Sequence, residues 1–352
     1  MTYNRGMDKV AALERASELL DAGRPAAALA LLKAAPRELA DEASYLRAEA
    51  LRAQGFFATA VALYEALLAK RGRLEPTLAA DAALGAATVY RSLGDVAAAR
   101  RALALARRDE RRELEDALID RADGRWNACL SKLGRLRRAA EAVRDWSKAA
   151  FLLWATGGAR RFSGDLAGSQ KDFERSLALA KRAGDPAGQA YALFGLGGVT
   201  RIRGRLRDAE RFYREAGRRL AAGDDVFGKA YAECGLANAL RQQGRLAEAH
   251  GHYVKAHRLY SSLGDAVDLA YVDWGLGKIA LQRGDIKEAE GRFRLALRGF
   301  EPHEHRGAAL SLLELSRALH ARGATREAEK LFDQAVKRSR KAGLHAHLES
   351  FT

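Results

Sequence analysis

The sequence predicts an all-α fold, a solenoid of about nine stacked helical hairpins. A similar segment recurs three times between Gln189 and Leu297 with a period of 40 residues, in register on Gly204, Gly244 and Gly284. The chain has only five prolines in 352 residues and an apolar content of 48%, which permits long helices with one buried face. A repeat of this length cannot bury its apolar face alone and must stack on its neighbours.

Glycines at the hairpin turns divide the chain into nine units. Each glycine is expected to end one helix in the left-handed conformation, and an aspartate after it, as at Asp95, Asp165 and Asp285, is expected to cap the next. The turn glycines are Gly23, Gly55, Gly94, Gly124, Gly164, Gly204, Gly244, Gly284 and Gly323. Their spacing predicts three less regular hairpins in residues 8–109, six regular ones in 110–342, and a C-terminal tail in 343–352.

Small and large residues alternate at fixed places around each turn glycine, which is counted here as position 15. Position 20 is alanine in six repeats, position 24 is aromatic in six, and position 27 is alanine in five, as expected where two helices approach closely. Position 6 is Gly85, Gly195, Gly235 or Gly275 in four repeats. Glycine inside a helix costs about 1 kcal/mol relative to alanine, so either a neighbouring helix or a ligand backbone is expected to come close there.

This small, large, small series, with Leu196, Leu236, Leu276 and Leu315 at position 7, resembles the tetratricopeptide repeat family. The period of 40 is similar to the long-helix variant of kinesin light chains, cell-polarity adaptors and bacterial peptide-sensing regulators. The resemblance implies a right-handed superhelix whose first helices line a concave groove. Repeat four departs from the pattern at Asp116 and Cys129, and repeat five at Ser169 and Ser176.

The resemblance places the candidate binding residues at four positions of the first helices. Position 12 is arginine in six consecutive repeats, where it either binds anions or simply complements the helix dipole in the last turn. Positions 2 and 5 are aromatic in the later repeats, which indicates either a ligand surface or helix packing. The candidates are Arg121, Arg161, Arg201 and Arg241; Tyr191, Tyr231 and Tyr271; Trp154, Phe194 and Trp274; and, at position 9, Asn238, Lys278 and Arg317.

The formal net charge of +15 favours an anionic partner, although a GC-rich genome would also enrich arginine. The cysteines Cys129 and Cys234 have no metal or redox spacing, which predicts buried thiols. The segment His303-Glu304-His305 lacks the remote ligands of a metal site. No phosphate-binding loop or nucleophile with a matching base occurs, so neither catalysis nor a cofactor is expected.

The N-terminus is interrupted by charges before any apolar segment forms, and the chain has no apolar run of about 18 residues. A cytoplasmic protein without membrane insertion is expected. The predicted function is a non-catalytic scaffold that binds an acidic or amphipathic segment of a partner protein in the groove. Two alternatives stay open: a helical-repeat protein that binds single-stranded RNA, and a self-assembling structural protein.

Overall fold

The computed structural model describes residues 2–33, 39–301 and 305–341. The predicted tail 343–352, and His303 and Glu304, lie outside these residues. The described chain consists of α-helices joined by turns, with one short 3-10 turn and no strand. Its helices are α1 (Thr2–Asp21), α2 (Pro25–Leu32), α3 (Ala40–Gln54), α4 (Phe57–Leu68), α5 (Pro76–Ser92), α6 (Val96–Leu105), α7 (Glu110–Ala122), α8 (Trp126–Ala142), α9 (Trp146–Phe162), α10 (Leu166–Arg182), α11 (Pro186–Ile202), α12 (Leu206–Leu220), α13 (Val226–Gln242), α14 (Leu246–Leu263), α15 (Ala266–Arg283), α16 (Ile286–Phe300), α17 (His305–Ala321) and α18 (Thr325–Lys341).

Consecutive helices pair as hairpins around the predicted turn glycines, which confirms the all-α solenoid. All nine turn glycines have positive φ, between 68° and 92°. The predicted caps are also present: Asp95, Asp165 and Asp285 each accept a hydrogen bond from the backbone N–H three residues later, at 2.8 to 3.1 Å. Local chemistry therefore determines where each helix begins and ends.

The chain divides into two compact units. Unit 1 comprises Met1–Arg144 and Leu220–Phe227, and unit 2 comprises Asp145–Arg219 and Gly228–Thr352. Within unit 1 a core forms around Tyr64. Within unit 2 separate cores form around Phe173 and Phe293. Such local cores are expected of a repeat array, in which each hairpin packs on its immediate neighbours.

The predicted packing series is present. Position 20 is buried in six repeats, at Ala60, Ala99, Ala209, Ala249, Ala289 and Ala328. The aromatic residues of position 24 are buried as well, at Tyr64, Phe173, Tyr213, Tyr253 and Phe293. Phe332 differs, with 48% of its surface exposed, because α18 is the last described helix and no further described hairpin stacks on it.

The glycines of position 6 are explained by this aromatic packing. A Cβ atom on Gly235 would lie 2.2 Å from the ring of Tyr213, and one on Gly275 would lie 2.3 Å from Tyr253. Gly195 meets Phe173 in the same way. Each aromatic ring thus occupies the space that a larger residue on the next first helix would need. Of the two alternatives, close helix packing accounts for these glycines.

Of the two departures in repeat four, Cys129 is buried, and Asp116 belongs to an ionic cluster in unit 1. Asp120 is fully buried and accepts hydrogen bonds from Arg100 (3.2 Å), Lys132 (2.7 Å) and Arg125. Asp116 pairs with the same lysine. A buried carboxylate is stable only with such partners, so cations replace the apolar contacts expected of the repeat.

The serines of repeat five are satisfied by backbone carbonyls. Ser169 donates a hydrogen bond to the carbonyl oxygen of Gly157, and Ser176 donates one to that of Ala150, both at 2.7 Å. Both acceptors lie on α9. A buried hydroxyl with such a partner keeps the two helices of the hairpin close, as alanine does elsewhere. None of the described helices is long and apolar enough to cross a membrane.

Candidate functional site

Three of the predicted arginines lie in the last turns of consecutive first helices of unit 2. Arg161 ends α9, Arg201 ends α11, and Arg241 ends α13. Arg161 and Arg201 are half-buried, whereas Arg241 is 4% exposed. The helix dipole favours a cation at each place by about 0.3 to 1 kcal/mol, which is small beside the cost of burying an uncompensated charge.

These three arginines lack an acidic partner. Within the described residues none of them forms an ion pair, and the Nε atom of each is buried without a hydrogen-bond partner. The free energy cost of leaving a buried donor unsatisfied is about 1 to 3 kcal/mol, and more for a charged group. Unit 2 therefore holds three cations whose electrostatic requirements are incompletely met by its own side chains.

Tyrosine hydroxyls separate these arginines. The ring of Tyr213, a residue of α12, packs between Gly197 of α11 and Gly235 of α13. It fits there because neither glycine has a side chain. Burial, followed by the nearby Tyr231, raises the pKa of Tyr213 to about 12, while Arg201 and Arg161 act in the opposite direction. Arg201 also acts through a side-chain hydrogen bond. The hydroxyl therefore lies within the field of two consecutive arginines.

Tyr253 repeats this arrangement one hairpin further on. Its hydroxyl donates to Oδ1 of Asn238 at 2.9 Å, and Arg241 acts on it through a side-chain hydrogen bond. Burial raises the pKa of Tyr253, and Arg241 opposes that shift, as does Arg201 more weakly. Arg161, Tyr213, Arg201, Tyr253 and Arg241 thus form one alternating series, here named the arginine–tyrosine row.

A glycine makes room for the first member of the row. A Cβ atom on Gly198, at position 9 of the sixth repeat, would lie 2.3 Å from Nη1 of Arg161. The Arg161 guanidinium also lies 4.9 Å from the centroid of the Phe162 ring. In the sixth repeat position 9 thus lacks a side chain, and the guanidinium of the preceding repeat occupies the space.

In unit 1, Arg52 and Arg91 at the same position are each paired with a glutamate of the chain. Arg52 pairs with Glu49 at 2.5 Å, and the Tyr64 hydroxyl donates to that same carboxylate. Arg91 pairs with Glu115 at 2.5 Å. Glu115 also accepts a hydrogen bond from Thr88. Arg121 ends α7 and acts electrostatically on Cys129, whose pKa burial raises to about 11.

The predicted aromatic residues form a continuous series over part of unit 2, named here the aromatic edge. Centroids of successive rings are 5.0 to 5.8 Å apart from Phe151 through Trp154, Tyr191 and Phe194 to Tyr231. Phe151 is 39% exposed, whereas Phe194 is buried. Tyr271 packs instead on Phe300, with centroids 4.6 Å apart. The edge thus combines helix packing with partly exposed rings.

The remaining predicted residues interact with one another between α15 and α17. Lys278 Nζ lies 3.0 Å from Glu314 and 4.6 Å from the centroid of the Trp274 ring. Arg317 pairs with the same glutamate at 3.2 Å. Burial lowers the pKa of Lys278 although Glu314 opposes that shift. The charges of Lys278 and Arg317 are therefore engaged with the carboxylate of Glu314.

A pair of acids lies at the start of α15. Asp265 caps the helix and accepts a hydrogen bond from the backbone N–H of Asp268 at 3.0 Å. Burial and the neighbouring Asp265 raise the pKa of Asp268 well above its ordinary range. The thiol of Cys234 lies near Asp268, and its pKa is raised to about 12, first by burial. The repeat pattern of the sequence did not indicate this pair.

The tyrosine hydroxyls were also missed, because position 24 was interpreted only as filling space. The choice of tyrosine over phenylalanine in the second, sixth and seventh repeats was the available signal. Tyr64 bonds to Glu49, and Tyr213 and Tyr253 interact with unpaired arginines. Among the described residues no group of three or more histidine, cysteine or acidic side chains is arranged to hold a metal ion.

Sequence comparison identifies tetratricopeptide repeats along the chain. Models of this repeat match residues 228–301, and residues 13–71, 45–113 and 274–343, together more than half of the chain. No curated protein sequence is significantly similar to this one. These matches lie in both units, on the same helices that carry the small, large, small series.

Two solved structures are similar in fold. A Rap protein complexed with competence and sporulation factor has a TM-score of 0.68 and 11% identity, over 96% of this chain and 99% of its own. BtubC (BKLC) from P. vanneervenii has a TM-score of 0.50 and 18% identity, over 62% of this chain and 92% of its own. At these identities the likeness concerns the fold, and it agrees with the resemblance predicted from the sequence.

Proposed function

Because this chain belongs to the tetratricopeptide repeat family, we propose that it is a non-catalytic protein-interaction scaffold. Unit 2 would bind an acidic or amphipathic segment of a partner protein along the arginine–tyrosine row and the aromatic edge. Arrays of this kind present extended binding surfaces made from successive repeats.

The observation that carries the proposal is the set of three arginines in unit 2 without acidic partners among the described residues. A bound carboxylate would supply the missing negative charge and accept hydrogen bonds from the guanidinium groups, which bind such anions in a bidentate manner. The aromatic edge adds partly exposed rings such as Phe151 and Tyr191, against which an apolar side chain of the partner packs. The Rap structure is likewise a complex, with competence and sporulation factor.

Nucleic acid is the second candidate ligand, favoured by the net charge of +15 and the aromatic edge. Single-stranded RNA binds through phosphate contacts and through stacking on aromatic rings. Arg241 is 4% exposed and presents little surface to either kind of ligand, so the contacts would be made by the half-buried Arg161 and Arg201.

The test is affinity capture from lysate of the source cell, with and without nuclease, followed by mass spectrometry. The protein should retain one discrete protein partner after nuclease treatment and lose it when Arg161 and Arg201 are changed to glutamate. The control changes Arg207 and Arg211 to glutamate, because both are exposed side chains of α12 outside the row. Recovery of material only without nuclease would instead identify a nucleic-acid-binding protein.

A further inference from the structure

We infer that unit 2 recognises an extended acidic segment in which two carboxylates, three residues apart, bind to Arg161 and Arg201, the half-buried arginines of the arginine–tyrosine row that both act on the Tyr213 hydroxyl. This inference rests on the proposed function and specifies the ligand of that same site. Its support is the environment of the position 12 arginine in one repeat of unit 1 and in two repeats of unit 2.

The second repeat contains a complete version of the recognition site. There the arginine of position 12, Arg52, and the tyrosine of position 24, Tyr64, both bond to the carboxylate of Glu49 at position 9. The guanidinium and the hydroxyl thus meet on one carboxylate that the chain itself provides. The geometry shows what an arginine and a tyrosine at these positions bind.

The sixth and seventh repeats contain the same two donors without the acid. The sixth has Arg201 and Tyr213, with Gly198 at position 9. The seventh has Arg241 and Tyr253, with Asn238 at position 9, whose amide oxygen accepts the tyrosine hydroxyl. Glycine and asparagine bring no negative charge, so neither repeat neutralises its arginine as the second repeat does. In the seventh repeat the tyrosine hydroxyl is bonded to Asn238 and Arg241 is 4% exposed, which leaves the half-buried Arg201 and Arg161 for a ligand carboxylate.

The spacing of the repeats determines the spacing of the ligand's acids. α9 and α11 pack directly on each other, and helices in such contact lie about 8 to 10 Å apart. A polyproline II segment turns once in three residues and advances about 9 Å in doing so. Its side chains at every third residue therefore point the same way at the interval of the arginines.

The acids of the ligand are expected to be carboxylates of a polypeptide. The guanidinium groups of Arg161 and Arg201 are half-buried near Tyr213, whose ring packs against Gly197 and Gly235, so only part of each cation is exposed to a ligand. A single side-chain carboxylate reaches such a place, as Glu49 does in its own repeat. A nucleic acid backbone carries its bulky sugars next to every charge.

The experiment measures fluorescence anisotropy of labelled proline-rich peptides with the full chain at low salt. One peptide has glutamate at every third residue, a second has the same composition with its glutamates adjacent, and a third has glutamine instead. The spaced peptide should bind about tenfold more tightly than the adjacent one, and the glutamine peptide should not bind. Equal affinity for the spaced and adjacent peptides would overturn the inference.

Two variants assign the binding to the row. Changing Arg161 and Arg201 to glutamine should remove the preference for the spaced peptide, whereas the matched change of the exposed Arg207 and Arg211 should leave it intact. Asn238→Glu supplies an internal carboxylate, as in the second repeat, and should weaken binding by about tenfold. Far-ultraviolet circular dichroism and the urea midpoint show that each variant is folded. Unchanged peptide binding in Asn238→Glu and in the double variant would contradict the inference.

The outcome is separable from that of the proposed function. If a protein partner is captured through the arginines but the spaced and adjacent peptides bind equally well, the proposed scaffold function stands. Only the inference about the spacing of the ligand's acids is then rejected. A single-stranded oligonucleotide that binds more tightly than the spaced peptide at the same salt concentration would reject both, since the affinity of nucleic acid falls steeply with salt.

Discussion

Units 1 and 2 use the same repeat position in opposite ways. In unit 1, Arg52 and Arg91 occupy position 12 of the second and third repeats. Each forms an ion pair with a glutamate of the same chain. In unit 2 the arginines of the fifth, sixth and seventh repeats have no acidic partner among the described residues. The backbone position is equivalent, so the neighbouring side chains decide whether an arginine is neutralised within the chain.

The glutamates that neutralise these arginines occupy two different repeat positions. Glu49 lies at position 9 of the same repeat, whereas Glu115 lies at position 6 of the next. In unit 2 the second of these places is filled by Gly195, Gly235 and Gly275, against which aromatic rings pack. The glycines therefore both admit the rings and exclude an internal acid.

The largest expected effect is in unit 1. Glu115→Ala should lower the free energy of unfolding by about 3 kcal/mol, because it leaves the guanidinium of Arg91, whose side chain is only 15% exposed, without its partner. Urea denaturation followed by circular dichroism measures the change. Glu113→Ala, which removes an exposed pair with Arg135, should cost no more than about 1 kcal/mol. Similar losses in the two variants would show that the internal pairing of unit 1 is unimportant.

A smaller effect is expected where the rings of unit 2 meet glycine. Gly235→Ala places a Cβ atom against Tyr213 and should lower the free energy of unfolding by about 1 to 3 kcal/mol. A Cβ atom added to Gly251, inside α14, would have open space around it to 4 Å. Gly251→Ala should therefore raise the free energy of unfolding by about 0.5 to 1 kcal/mol. If Gly235→Ala left the free energy of unfolding unchanged or raised it, the close packing of the Tyr213 ring on Gly235 would be refuted.

The smallest effect concerns pH and the acids of α15. Because burial and Asp265 raise the pKa of Asp268, the folded protein keeps a proton that the unfolded chain loses above about pH 4. Unit 2 should then lose stability as pH rises from about 4 through the pKa of the folded state. Asp268→Asn should reduce that decline, as measured by urea midpoints across the pH range, and the remainder is expected from Asp265, whose pKa burial also raises. The control is Asp208→Asn, which changes a side chain that is 41% exposed. This variant should show the same decline in stability with pH as the unchanged protein.

The sequence predicted the features that depend on local periodicity. Helix ends follow from turn glycines and aspartate caps, and the stacking of hairpins follows from alanine at position 20 and an aromatic residue at position 24. These features repeat with the period and can be recognised from one sequence. The residues of the arginine–tyrosine row that end the first helices were predicted for the same reason.

The partners of charged residues could not be predicted in this way. Lys278 was a candidate ligand contact, yet it pairs with Glu314 of the following repeat. Whether an arginine is neutralised depends on a side chain at another position, up to 24 residues away in the case of Arg91 and Glu115. Such pairs do not follow the period, and they are determined by the space between helices.

The tyrosine at position 24 of the sixth repeat contributes both to the spacing of the helices and to the position of an arginine side chain. The ring of Tyr213 is wedged between Gly197 and Gly235, and so acts as a spacer whose thickness sets the gap between α11 and α13. The hydroxyl of the same ring interacts with Arg201. One side chain therefore both separates two neighbouring first helices and, through its hydroxyl, holds the guanidinium of Arg201 beside them.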